Sequence, residues 1–170
     1  MLVIVPMKFL FFTILGICLA ISSLTLADQP KFADSIMTRA TSVKGVLYCG
    51  NAPHRNAHVY LMRDDSDAQI DILDKKVTGP DGTFVLEGHT GNRESDKTDI
   101  HPMIKVYHKC DEPEKKKGFR FFRHKFPRKY VTLGRVSRKT YDIGRVNLEI
   151  VYPKETRVYD LPVWEPISKE

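Results

Sequence analysis

The chain is poor in cysteine and lacks the short patterns that mark a catalytic or cofactor site. No Gly-x-Ser-x-Gly elbow, phosphate loop or dinucleotide fingerprint occurs, so hydrolase and nucleotide-binding chemistry have no anchor here, and no cofactor is implied. No Asn-x-Ser/Thr site is present for N-glycosylation. Internal repeats and convincing helical periodicity are missing as well. Acidic residues vanish altogether between Lys115 and Lys139. The one long apolar run, Phe9 to Leu19, is interrupted by Ser22, Ser23 and Thr25, before the roughly 20 residues needed to span a bilayer.

What is present begins with that run. Lys8 in front of it and the small-residue boundary Thr25-Leu26-Ala27 behind it predict a signal peptide over residues 1–27. The protein is therefore expected to be secreted and extracellular, without a transmembrane span. Cys18 follows Ile17, where a lipidation site needs a small residue, which disfavours a lipoprotein. With the leader removed, the three cysteines become Cys49 and Cys110. In an oxidising compartment a single disulfide is the default. The rival is a nucleophilic thiol beside His108, which needs an activated thiolate.

The mature chain suits one domain with a real core. Val43–Cys49, Ala57–Met62, Ile70–Thr78, Thr83–Glu87, Met103–Lys109, Phe119–Phe126 and Thr140–Tyr152 read as strands. Gly79-Pro80-Asp81-Gly82 is the clearest turn, with proline where a fixed φ helps and glycine where φ can be positive. Residues 28–42 have no sustained period and read as an N-terminal tail. In Met103–Lys109, Ile104 and Val106 form one clean apolar set. In Phe119–Phe126 the adjacent Phe121 and Phe122 change the alternation, which predicts a bulge. Such a run of short strands spells an all-β sandwich.

Charge is unevenly placed. The chain holds 27 Lys and Arg against 21 Asp and Glu, and the acid-free stretch carries Lys115, Lys116, Lys117, Arg120, Arg123, Lys125, Arg128 and Lys129, then Arg135, Arg138 and Lys139. Basic residues alternating with phenylalanine can put charge on one face and rings on the other, although a half-buried strand does the same. Residues 115–129 are the candidate contact for a polyanion or lipid headgroup. The outward route sets nucleic acid aside. A metal site is not expected: His54-x-x-x-His58 falls where Pro53 opposes a helix, and Asp64, Asp65, Asp67, Asp71 and Asp74 lack the sharp glycine of a calcium loop.

Several pieces, in order, resemble one family. Gly45-x-Leu47-x-Cys49, Val59-Tyr60-Leu61 with Asp64-Asp65, Thr78-Gly79-Pro80-Asp81-Gly82-Thr83-Phe84, Pro102 to Cys110, Phe126-Pro127-x-x-Tyr130-Val131 and Tyr141-Asp142-Ile143-Gly144-x-Val146-Asn147-Leu148 are similar to segments of the nematode transthyretin-like family. The resemblance implies a secreted, transthyretin/prealbumin-like (immunoglobulin-like) β-sandwich of seven or eight strands over residues 43–157, with a C-terminal tail at 158–170. Two further cysteines of many members are missing here, which leaves Cys49 and Cys110 as the available pair. It also implies a non-enzymatic protein whose partner is a lipid, a small hydrophobic ligand or a cell-surface protein; the alternative is a glycosaminoglycan or matrix contact through the basic surface. A hydroxyisourate-type hydrolase is disfavoured, since its Tyr-Arg-Gly-Ser terminus is replaced by Pro166-Ile167-Ser168-Lys169-Glu170.

Overall fold

The computed structural model describes residues 37–91 and 93–164; the expected leader, residues 28–36 of the expected tail and residues 165–170 lie outside the described residues. Among the described residues ten strands are present: β1 (Arg39–Cys49), β2 (Ala52–Pro53), β3 (His58–Met62), β4 (Ile72–Val77), β5 (Thr83–His89), β6 (Met103–His108), β7 (Phe119–Lys125), β8 (Val131–Leu133), β9 (Thr140–Asn147) and β10 (Thr156–Val158). They form two sheets. In the first, β1 pairs antiparallel with β5 along one edge, while its other edge is shared by β8, antiparallel, and β9, parallel; β2 closes a hairpin on its end. The second runs β10-β7-β6-β3-β4, antiparallel throughout.

The sandwich class holds, but the strand count is ten and not seven or eight. The additions β2, β8 and β10 are two or three residues long, too short to show an alternation of side chains. β1 starts at Arg39, and Thr38, Ala40, Thr41 and Ser42 are buried, so the strand reaches into the stretch read as a tail. The last expected strand stops at Asn147. The chain then turns and returns as β10.

Between the sheets lies one apolar core. Val43, Leu47, Phe84 and Leu86 from the first sheet meet Val59, Leu61, Ile104, Val106 and Phe122 from the second, with Val146 and Leu148 at the side. Alternation along β1 explains its half of this contact, since Val43 and Leu47 are buried while Lys44 between them is exposed. The second sheet departs from that rule. All six residues of β6 are buried, because Met103 and Tyr107 join Tyr60, Met62, Ile72 and Phe121 in a separate cluster on the outer face.

That second cluster also explains the phenylalanine pair. The β6–β7 register runs unbroken from Met103↔Lys125 to His108↔Arg120, so the bulge expected at Phe121 and Phe122 does not form. Both rings are accommodated because both faces of the strand are apolar: Phe122 stacks on Tyr152 at 4.2 Å and Phe121 on Tyr107 at 4.6 Å. The irregularities fall elsewhere, between Lys44 and Val46 opposite β9 and between Leu61 and Met62 opposite β4.

The turn at Gly79–Gly82 behaves as its residues require. Gly82 donates to the Gly79 carbonyl at 3.0 Å, accepts from Leu47 N at 2.9 Å and has φ 69°. A Cβ there would sit 2.3 Å from the Leu47 carbonyl oxygen, so steric overlap adds to the cost of the left-handed backbone. Gly82→Ala is expected to destabilise by more than about 1 kcal/mol. Gly144→Ala, also at positive φ but with no atom within 4 Å of the added Cβ, carries the backbone cost alone. Urea titration of the two variants should rank them in that order.

Candidate functional site

The sandwich distributes the basic stretch among four environments. On β7, Phe122 faces the core and Phe121 the outer cluster, so alternation sends Arg120 and His124 one way and Arg123 and Lys125 the other. Arg120 is turned inward. Its guanidinium pairs with Glu155 at 2.5 Å and donates to the carbonyls of Cys110, Leu148 and Ile150. It is part of the fold and cannot belong to a polyanion surface.

Arg123 and Lys125 point outward but meet the acidic loop after β3. Arg123 pairs with Asp65 and Asp67, and Lys125 pairs with Asp65 at 2.9 Å. Lys105, buried at the middle of β6, joins them through Asp67 at 2.7 Å and the Ser66 carbonyl. A hydrogen bond from Lys125 holds the Asp65 carboxyl below its ordinary range, and one from Lys105 does the same for Asp67, each against a smaller opposing effect of burial. Both acids stay ionised, and their role is to neutralise the basic face of β7. Asp71 is tied to Arg63 at 2.7 Å. Arg128 pairs with Asp99 at 2.6 Å and Lys116 with Glu112 at 3.1 Å.

Of the eight basic residues expected to form one surface, Lys115, Lys117 and Lys129 enter no ion pair among the described residues, and Lys115 and Lys117 are exposed. A second basic surface lies further along, in the β8–β9 loop. Here Arg135, Arg138 and Lys139 flank two outward apolar side chains, Leu133 at 58 % exposure and Val136 at 69 %. The loop is closed by its own hydrogen bonds, in which Thr132 Oγ1 donates to the Val136 carbonyl, Arg138 N donates to Thr132 Oγ1 and Ser137 Oγ donates to the Lys139 carbonyl, and it is tied to the start of β1 by Gly134 N, which donates to the Thr38 carbonyl. Glu87 is the acid in direct contact, accepting from Ser137 N at 2.8 Å. The run of basic residues was visible in the sequence. What could not be seen was that Leu133 and Val136 would face water, because only the three residues of β8 pair with β1.

The histidines separate. His54 sits edge-on to His108 at 6.2 Å and His58 edge-on to Phe119 at 5.8 Å, and among the described residues no group of three or more His, Cys, Asp or Glu is placed to hold a metal ion. His108 is fully buried beside the Cys49–Cys110 disulfide. Its Nδ1 accepts from Cys110 N at 3.3 Å, and its Nε2 has no partner among the described residues. Burial, followed by the nearby Arg120 charge, pushes its pKa down to about 4. A neutral, enclosed imidazole next to a closed disulfide cannot activate a thiolate.

A stability effect follows. The folded pKa lies below the unfolded one, so the unfolded chain takes up the proton first; the contribution is whole above the ordinary histidine value and is lost as pH falls from there towards 4. The loss amounts to about 3 kcal/mol. Urea unfolding across that window should show a steep decline, and His108→Gln should flatten it relative to the parent. Parallel slopes would assign the decline to the carboxylates.

Comparison with known proteins places the chain. The sequence profile of the Transthyretin-like family matches residues 44–127. Transthyretin-like protein 46 of Caenorhabditis elegans is 42 % identical over 70 % of this chain and 65 % of its own length, so the chain spans just under two thirds of that relative. Transthyretin-like protein 33 of the same organism is 32 % identical over 74 % of this chain and 85 % of its own. The chain belongs to the transthyretin-like family. Among solved structures, a 9R-lipoxygenase from Cyanothece PCC8801 aligns over 64 % of this chain and 16 % of its own with TM-score 0.35 and 19 % identity, a likeness too slight to carry an argument. In this transthyretin-like chain no helix among the described residues is long and apolar enough to cross a membrane.

Proposed function

We propose that this transthyretin-like protein is a secreted, non-catalytic binding module that docks on anionic lipid surfaces through its β8–β9 loop. Its secretion rests on the leader-like residues 1–27 and agrees with a closed disulfide between its two remaining cysteines. The observation that carries the docking surface is the pairing of exposed Leu133 and Val136 with Arg135, Arg138 and Lys139 in one self-closed loop. Apolar side chains enter the acyl boundary while cations meet the headgroups, and each Lys or Arg near an anionic surface contributes about 1 kcal/mol. A small hydrophobic ligand between the sheets is the less favoured reading, because the chain's own rings occupy that space, with Phe126 and Tyr141 stacked at 4.9 Å.

The test separates lipid from glycosaminoglycan. Arg138→Gln with Lys139→Gln should weaken binding to phosphatidylserine-containing vesicles by about 30-fold at low salt, the equivalent of two lost cations. Leu133→Ser with Val136→Ser should weaken vesicle binding and leave heparin retention unchanged, since heparin offers no apolar phase. Retention on heparin that depends on the cations, together with indifference of vesicles to the apolar pair, would establish the matrix reading instead.

A further inference from the structure

The outer face of the second sheet is built as a core and covered as a surface. Tyr60, Met62, Ile72, Met103, Tyr107 and Phe121 cluster across four neighbouring strands, with Tyr60 edge-on to Tyr107 at 5.3 Å and Tyr107 stacked on Phe121. Aromatic side chains bury about 150–250 Å² each, so this face exceeds the few hundred Å² of apolar patch that a lone soluble domain tolerates. Its cover is the C-terminal segment, from which Val158, Leu161 and Trp164 pack inward.

The segment is held unequally. Up to Val158 it is clamped by the Arg120–Glu155 pair, the Arg157–Glu112 pair and the β10 ladder on β7. Beyond that point, residues 159–164 make no backbone-to-backbone hydrogen bond among the described residues. They keep Leu161 and Trp164 against the cluster and one bond, in which Tyr60 OH donates to the Pro162 carbonyl at 3.0 Å. Tyr159 and Val163 face outward, at 68 % and 70 % exposure. This stretch is seated as a peptide in a groove is, by the side-chain anchors Leu161 and Trp164 and one accepting carbonyl.

We propose that this face is a binding groove for an extended apolar segment of a partner protein, with an aliphatic and an aromatic residue three positions apart, and that residues 159–164 fill it in the free protein as a displaceable stand-in. The aliphatic anchor takes the place of Leu161, the aromatic that of Trp164, and the carbonyl between them accepts from Tyr60 OH. The inference is independent of the β8–β9 loop and survives if that loop binds nothing.

Trp164 is the single tryptophan of the chain and reports directly on the segment. In the full-length oxidised protein its emission should be that of a half-buried indole. Leu161→Ser should shift it to the red while the unfolding midpoint stays close to that of the parent, because Leu161 is half exposed. The probe is a dye-labelled peptide of residues 157–164, with binding read by anisotropy. It should bind the Leu161→Ser protein at least about tenfold more tightly than the parent, whose groove is occupied. Adding Tyr60→Phe should weaken the peptide several-fold, and Tyr60→Phe alone should redden Trp164. Equal peptide affinity for parent and Leu161→Ser protein, or no effect of Tyr60→Phe in either assay, would overturn the proposal. So would a dimer of the Leu161→Ser protein, seen by light scattering, that the peptide fails to dissociate, since the face would then be a contact between copies.

Discussion

Arg120→Met is expected to destabilise the fold by about 3–5 kcal/mol, the cost of breaking a buried ion pair from one side. Glu155 is enclosed, with 7 % side-chain exposure against 13 % for Arg120. Removing the guanidinium leaves that carboxylate with the Tyr152 N–H as a remaining donor, and strips a charged donor from the carbonyls of Cys110, Leu148 and Ile150. Those three carbonyls belong to the end of β6 and the turn after β9, so one side chain joins the two sheets and the returning C-terminal segment. Joint replacement of Arg120 and Glu155 by apolar residues should recover much of the loss, because no lone charge is then buried. Lys117→Gln, in contrast, should leave the urea midpoint within error, since its side chain is exposed and unpaired among the described residues. If Arg120→Met matched Lys117→Gln in stability, the inward placement of Arg120 would be wrong and the original single basic surface would return.

Arg120 also shows where the sequence stops being legible. Strand period and turn chemistry located most of the sandwich: β3, β5, β6 and β7 lie within a few residues of their expected bounds, and Gly82 takes the positive φ its turn calls for. Both signals are local, and the sequence contains them whole. The fate of a charge is different. Arg120 and Arg123 look alike in the string, yet one ends in a buried pair with Glu155 and the other on a loop aspartate 56 positions away. Which it will be depends on what the fold brings opposite, and an acid-free stretch says nothing about acids supplied from elsewhere. The aspartate cluster was equally opaque. Its missing calcium-loop glycine argues against a metal, but nothing in the string shows that its counter-charges are Lys105, Arg123 and Lys125. One clue was available: β6 places a lysine between Met103 and Tyr107, and a lysine in a strand buried on both faces requires a carboxylate nearby. The outer cluster is hidden in the string for a related reason: what covers that face is the C-terminal segment, supplied from far along the chain.

Loss of the disulfide is the second large effect expected. Cys49 ends β1 in one sheet and Cys110 follows β6 in the other, with Cα atoms 5.5 Å apart and a sequence separation of 61. Closing a loop of that length lowers the entropy of the unfolded chain by an amount worth about 4 kcal/mol in the chain-entropy model. The bond also lies where Arg120 reaches the Cys110 carbonyl and where His108 accepts from Cys110 N, so the three features brace one end of the sandwich. Replacing both cysteines by alanine should therefore cost about 2–5 kcal/mol by urea titration. Combining the replacement with Arg120→Met should cost a different amount from the sum of the two, because residues sharing a partner couple by about 0.5–3 kcal/mol. An additive result, with the pH dependence assigned to His108 also unchanged in the cysteine-free protein, would mean that the staple acts on the unfolded chain alone and that the ion pair and the buried imidazole hold this end of the fold without it.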